Sequence, residues 1–405
     1  MNPRRLYLIA TSSWFLAFGM QSVVFAWLVT IVLEQPAELV GWAQTALLVP
    51  GMLFILLAGA FADRIGQDRQ AMWAQGFAAI TPWILIAALQ MGVLSYSVMV
   101  VYAVLMGVAQ AFVTPARDGL LNHVAQDRVQ QTVLLASLCQ FFFQIIGYTL
   151  AGYADRVGAP VILGVQSGTL LFGLVAYGAL YRQRLVKPHG KTERSVWHDL
   201  VEGAKTVAAS PVMRVVVLQN VAMACFFMGC FIVCFPLAVR EVFDGSAADL
   251  AWLNAINSLG LVLTILLMLR VGYLRFPGRA LLLAQGFGAM VLGASGMMDS
   301  FVMFVVLIFC WGLCGGIAMP MSRTIMQELA PPAQRARVMS FYSFSLMGSG
   351  PLGTLFCGYL SAAVGPQYAI QICGAAMLSV VIIMTLTSSL WQTEFKGGQP
   401  IAEPG

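Results

Sequence analysis

Apolar residues run through this chain in long blocks, broken by short clusters of charge, and block length is the first guide to structure. Twelve blocks lie near residues 7–33, 39–62, 71–92, 96–115, 130–153, 160–181, 212–238, 250–270, 280–298, 301–321, 338–362 and 367–391. A helix needs about 20 apolar residues to cross the hydrocarbon core, and lipid accepts only helices or closed barrels, because every backbone polar group must be satisfied. The blocks are too long for barrel strands. The pattern predicts an all-α polytopic membrane protein with twelve transmembrane helices. The first block follows "MNPRRLYL", exceeds a signal-peptide core and has no small-residue cleavage site after it, so it reads as a retained helix.

Composition agrees. The chain is 60% hydrophobic and 10% charged, against about 25% charged in soluble domains, which excludes a soluble globular protein. All eight cysteines fall inside the blocks, where they read as small apolar packing residues. With no His or carboxylate at matching depth they imply no metal site, and no cofactor is expected.

An even number of spans puts both termini on one side, and Lys and Arg decide which. Of the 22 lysines and arginines, all but Arg156 and Arg240 fall on the side of the N-terminus. The opposite loops carry Glu34, Glu38, Asp155, Glu241, Asp244, Asp249 and Asp299. Both termini are therefore expected in the cytoplasm, with the chain in a bacterial inner membrane. The net charge of +5 is this loop bias. It implies contact with the bilayer and no nucleic-acid partner.

The longest hydrophilic stretch divides the spans six and six. It suggests an N-terminal bundle at 1–182, a cytoplasmic linker at 183–211 and a C-terminal bundle with a short tail at 212–405. Within the linker, Val196, Trp197, Leu200, Val201 and Val207 recur among polar residues and predict a helix lying at the membrane interface. The halves resemble each other. "PARDGLLNHVAQDR" follows block four and "PMSRTIMQELAPPAQR" follows block ten; each leads to a helix ending in "GYADRVG" or "GYLSAAVG". Gly147 and Gly152 stand 206 residues before Gly353 and Gly358. Paired copies of a six-helix unit, pseudo-symmetric about a central site, are a signature of secondary transporters.

The loop after block two reads "GAFADRIGQDR", Gly59 to Arg69. Gly59 is expected to allow close helix approach, and Gly66 to permit a tight reversal. Asp63 lies where the chain leaves lipid and can meet the positive end of a helix dipole, while Arg64 and Arg69 add inside charge. These five residues are candidates for a conformational gate. A second "ADR", at Ala154–Arg156, falls on the opposite face, so it is expected to serve only as a helix end with a local Asp155–Arg156 ion pair.

The Gly59–Arg69 segment resembles the loop signature "GxLADRxGRRxxL" of the major facilitator superfamily. The six-plus-six topology with a long basic middle loop is similar over essentially the whole chain. The resemblance implies two six-helix bundles around a central cavity, worked by alternating access. It also implies that Asp63 holds helix 2 against the end of helix 11, near residues 336–340. The pair Gln67-Asp68 departs from the usual basic pair. "AFVTPARDGLLNHVAQDRV" and "TIMQELAPPAQRARVMSFYSF" are loosely similar to the enterobactin-exporter and macrolide-efflux branch. Two positions depart from the patterns of coupled members: Ala103 replaces an Arg before Gly107, and Tyr148 replaces a Pro after Gly147.

No charged residue is expected deep in any block. Neutral amides and aromatics stand there instead: Phe18 and Gln21 in helix 1, Gln110 in helix 4, Gln140 and Gln144 on one face of helix 5. Gln219 and Asn220 follow in helix 7, Asn254 and Asn257 in helix 8, and Trp311 in helix 10. Buried amides must be hydrogen-bonded. Each serves either as glue between helices or as lining of a neutral, aromatic cavity for an amphipathic solute. Candidates to couple transport to protons are Asp118 and His123, in the loop after helix 4, and Glu34 at the outer end of helix 1.

The leading reading is a secondary active transporter that exports small amphipathic organic compounds (drug or siderophore-like efflux), with protons as a candidate coupling ion and a monomer as the working form. An importer or facilitator of a neutral metabolite is the alternative. A membrane-embedded enzyme or receptor is remote: all three histidines lie in loops, and no catalytic residue set shares one depth. No phosphate-binding "GxxxxGK[ST]" occurs either.

Overall fold

A computed structural model describes residues 2–125, 129–183, 196–271, 274–331, 334–396 and 399–400. Among these, each of the twelve apolar blocks carries a helix. The first six are α1 Pro3–Val32, α2 Ala37–Ile65, α3 Gln67–Gln90, α4 Tyr96–Ala125, α5 Val129–Ala151 and α6 Ala159–Arg182. After the linker helix α7, Val196–Ala209, come α8 Pro211–Glu241 and α9 Ala247–Val271. The last four are α10 Pro277–Ser295, α11 Phe301–Leu329, α12 Arg335–Val364 and α13 Pro366–Thr387. Nine of the described helices are long and apolar enough to cross a membrane.

Local chemistry sets the helix ends. The Asn2 side chain accepts from the Arg4 N–H at 2.9 Å, with Pro3 in the first turn; Ser210 caps α8 in the same way, ahead of Pro211. Gly66, Gly158 and Gly365 break successive helices at φ of 94°, 86° and 82°, a region open mainly to glycine. Gly158 and Gly365 occupy matching places in the two halves, each before a helix with Pro in its first turn.

Two helices overrun the ends that the sequence predicts. α4 continues through Pro115 to Ala125, and α11 through Pro320 to Leu329. A proline costs a helix one backbone hydrogen bond. Ala116, Leu120 and Val124 nevertheless keep a buried stripe at helical spacing beyond Pro115, as Ile325 and Met326 do beyond Pro320. That packing offsets the lost bond.

The chain packs as two units. The first comprises residues 1–193 and 244–255, the second residues 194–243 and 256–405. In the first, α1 packs on α5 and α6, α2 on α4, and α3 on α4 and α6. In the second, α8 packs on α12 and α13, and α10 on α11 and α13. Backbone contact at glycine recurs in both. A Cβ on Gly147 would collide with the Leu16 carbonyl oxygen of α1 and lie 3.0 Å from the Gly19 Cα. A Cβ on Gly353 would lie 2.8 Å from the Cys225 Cα of α8. A Cβ on Gly107 would meet the Leu47 carbonyl of α2, and one on Gly312 the Asn257 carbonyl of α9. The repeat in sequence is thus a repeat of packing.

Within the first unit, the Asp155 carboxylate accepts from the Ala247 N–H at 2.7 Å. It therefore caps the start of α9 and is not spent on Arg156, whose guanidinium lies over the Tyr153 ring. Gly152 beside it faces Ala251, where a Cβ would lie 2.8 Å from the alanine methyl.

The predicted linker helix exists and is docked within the second unit. Its Gly203 abuts the Arg337 backbone of α12. Thr206 donates to the Gln334 side chain at 2.6 Å, and Glu202 pairs with Arg337.

Candidate functional site

The second unit contains a cavity of about 200 Å³ whose wall is almost wholly apolar. α8 supplies Met223, Phe227, Met228 and Phe231; α11 supplies Trp311 and Met319; α9 supplies the single amide, Asn257. The local winding of α8 aims these side chains. Met223–Met228 and Cys230–Cys234 are wound as π-helix, a widened turn that often marks functional positions. The result is an aromatic cluster. The Trp311 ring centroid lies 5.6 Å from Phe227, 5.8 Å from Phe231 and 5.7 Å from Phe235. The Asn257 amide donates to the Ile308 carbonyl of α11 at 3.3 Å, so it both braces α9 on α11 and edges the cavity. Such a space suits the ring or chain of an amphipathic solute, gripped by polarizable and adaptable side chains.

Of the amides named from sequence, Asn257 alone joins Trp311 in this cavity. Asn254 donates to the Leu250 carbonyl of its own helix at 2.7 Å. Gln219 and Asn220 are buried in α8. The Asn220 carbonyl oxygen accepts from Ser322 at 3.1 Å, and Ser322 accepts from the Tyr342 hydroxyl at 3.2 Å, a triad joining α8, α11 and α12. The Gln219 amide is buried without a hydrogen-bond partner.

In the first unit, Phe18 is half-buried and Gln21 buried on α1. Gln144 donates to the Tyr148 hydroxyl at 2.5 Å, while Gln140 and Gln110 are half-buried. One charged residue beyond the predicted end of block four is nearly buried within the unit. Arg117 belongs to α4, its side chain is 11% exposed, and its guanidinium stacks over Phe15 of α1 at 4.6 Å.

The coupling candidates separate. Asp118 and His123 lie within α4 and in no loop. Asp118 is exposed and lies 3.4 Å from the Arg117 Nε; His123 sits 3.2 Å from the Gly119 carbonyl. Glu34 is exposed beyond α1 at a φ of 46°. His189 and the side chain of His198 lie outside the described residues.

The gate segment is partly described. Gly66 makes the turn expected of it. Gly59 does not serve close approach, since a Cβ there would meet nothing within 4 Å. Arg64 is exposed. Arg69 lies over the Trp73 ring at 5.9 Å and edges an open apolar groove of about 420 Å³ between α2, α3 and α4. The side chains of Asp63 and Ala336, on which the expected latch turns, lie outside the described residues.

Sequence reasoning missed three glutamines that tie helices together. Gln70 donates to the carbonyls of Ala58 and Phe112, each at 2.9 Å; Gln75 donates to Ser13 and to the Leu170 carbonyl; Gln166 donates to the Tyr102 hydroxyl. Gln75 and Gln166 stood within apolar blocks as the other amides did, and Gln70 stands just before block three. It also missed Phe227 and Phe231, although aromatics at 227, 231 and 235 share one face at helical spacing. The cysteines are unpaired, with Cys357 and Cys373 sulfurs 3.8 Å apart. Among the described residues no cluster fit to hold a metal occurs.

The sequence matches the major facilitator family described as transmembrane secretion effectors over residues 5–401. It is 26% identical over 385 residues to the multidrug efflux pump Tap of Mycobacterium tuberculosis, covering 90% of this chain and 88% of that protein. The Tap pump of Mycolicibacterium fortuitum is 26% identical over 391 residues, 90% of each. Among solved structures, the nucleoside transporter NupG superposes with a TM-score of 0.69 at 13% identity, over 95% of this chain and 99% of NupG. A bacterial homolog of the human lysosomal transporter Spinster gives 0.66 at 15%, over 96% of each.

Proposed function

We propose that this chain, which belongs to the transmembrane secretion effector family of the major facilitator superfamily, exports small amphipathic organic compounds from the bacterial cytoplasm. It is a multi-pass membrane transporter with the two-bundle fold of that superfamily, and it is not an enzyme. The observation that carries the proposed cargo is the cavity of the second unit, where Phe227, Phe231, Trp311 and methionines surround a single amide. A wall of that kind gives affinity through apolar area and little through fixed polar contacts, which favours a range of lipophilic solutes over one polar metabolite. The likeness to the Tap pumps, whose name records multidrug efflux, supports export over import.

Alternating access would expose this pocket within the second unit. Phe18, Gln21, Gln110, Gln140 and Gln144 in the first unit, and Gln219, Asn220 and Asn254, would be further polar and aromatic contacts for the solute outside it. The bundles would be residues 1–182 and 212–405, joined by 183–211. Asp63, with Gly59, Arg64, Gly66 and Arg69, would form the gate. Both termini would be cytoplasmic in the inner membrane, with the protein working as a monomer. A proton gradient would drive export through Glu34, Asp118 or His123.

The experiment is expression in a bacterial strain stripped of its major efflux pumps. Susceptibility to a panel of amphipathic drugs should fall, and the protection should vanish when an ionophore collapses the proton gradient. Unchanged susceptibility across the panel would remove the drug-efflux reading. Protection that survives the ionophore would remove the coupling.

A further inference from the structure

Arg117 is nearly buried in α4, with a side chain 11% exposed, and its guanidinium stacks over the Phe15 ring of α1 at 4.6 Å. Burying a charge is costly unless it is paired and hydrogen-bonded.

The surroundings of Arg117 are donors and aromatic faces. Tyr7, Thr11, Phe15 and Phe18 follow one another at helical spacing along one stripe of α1. Tyr7 and Tyr177 are buried in the core cluster that also contains Ala116 and Leu120, on either side of Arg117 in α4. The Arg117 Nη1 is buried without a hydrogen-bond partner, and the buried Thr11 and Tyr177 hydroxyls lie against each other beside it. Asp118 takes the Nε edge of the guanidinium from its exposed side at 3.4 Å, which leaves the buried edge uncommitted. Native proteins seldom leave a buried guanidinium edge unsatisfied, and all three groups can donate.

We propose that Arg117, with the Thr11 and Tyr177 hydroxyls, is a recognition site for a carboxylate, and that it gives the transporter a preference for amphipathic solutes with an acidic end. The planar guanidinium presents paired donors that match a carboxylate. The stripe continuing to Phe18 offers the attached ring or chain an apolar surface. Asp118 competes with the incoming carboxylate for the same cation. The proposal deepens the export reading and rests on it for the word solute; the anion site itself stands or falls separately.

The test uses purified full-length protein in lipid nanodiscs and two probes of nearly equal shape, 1-naphthoate and the neutral 1-naphthalenemethanol. Binding is read from the concentration at which each probe raises the melting temperature. Wild-type protein should bind naphthoate more tightly than the alcohol. Arg117→Gln should weaken naphthoate roughly ten- to hundredfold, the range expected for a charge-assisted hydrogen bond, and leave the alcohol unchanged. Arg117→Lys should retain part of the preference. Asp118→Asn should strengthen naphthoate binding, which loss of a merely structural residue would not do. Equal response to both probes in wild type, or an unchanged naphthoate preference in Arg117→Gln, overturns the proposal. Should Arg117→Gln fail to fold, failure of Asp118→Asn to tighten naphthoate binding overturns it instead. Naphthoate binding in a protein that exports nothing would leave this site standing and remove the export reading.

Discussion

The Trp311 and Phe227 rings meet edge to face, with centroids 5.6 Å apart and planes at 80°. This contact joins α11 to the widened turns of α8, and Phe231 leans on the same indole at 5.8 Å. Trp311 thus packs against both of the other aromatic side chains that line the cavity of the second unit. An aromatic pair contributes about 0.5–1.5 kcal/mol beyond the area it buries. Trp311→Ala should therefore slow efflux of aromatic dyes roughly three- to tenfold, with normal amounts of protein in the membrane. Equal efflux by the variant would remove Trp311 from the substrate path.

Gln21 and Gln144 test the division of the amides between glue and lining. Gln21 is buried in α1, and Gln144 holds the Tyr148 hydroxyl of its own helix. Among the described residues, neither side chain hydrogen-bonds to another helix. Gln21→Ala or Gln144→Ala should change the order in which a panel of drugs is exported more than it changes total protein. An identical profile in both variants would return them to packing.

Asp63→Asn should impair transport while leaving membrane insertion intact. The expectation comes from the place of Asp63 in the loop signature shared with the superfamily, where a charge and not a shape is required. Full transport by the variant would remove the gate.

Glycine contacts make a sharp comparison of stability. Gly147→Leu places a side chain against the α1 backbone, where overpacking typically costs 1–3 kcal/mol or more. It should lower the melting temperature in detergent strongly. Gly59→Leu meets open space and should leave it almost unchanged. Similar losses in both would show that the backbone contact at Gly147 is not what holds α1 on α5.

Much of the fold was legible because lipid imposes a simple rule: long apolar runs become helices, and each of the twelve did so. Gly147 and Gly353 were legible as a repeat, but not as points of close approach; that was expected of Gly59, where a Cβ meets nothing within 4 Å. What the sequence hid follows from limits of pattern. Pro115 looked like a helix end, so Arg117 was assigned to a loop; only the buried stripe of Ala116, Leu120 and Val124 shows that α4 goes on. Asp155 looked paired with its neighbour because a partner distant in sequence, the Ala247 N–H, leaves no local trace. The cavity around Trp311 depended on π-winding in α8 that no residue pattern announces. Gln75 and Gln166 were overlooked although the signal, an amide in an apolar run, was the one used elsewhere; Gln70 stands just before its run.

The central claim is outward transport of amphipathic compounds, and vesicle transport tests it most directly. Everted and right-side-out membrane vesicles containing the protein are given a fluorescent amphipathic dye and an imposed proton gradient of the physiological sign. The account predicts accumulation in everted vesicles, abolished by an ionophore and reduced by Trp311→Ala. Accumulation in right-side-out vesicles, with none in everted ones, would contradict it.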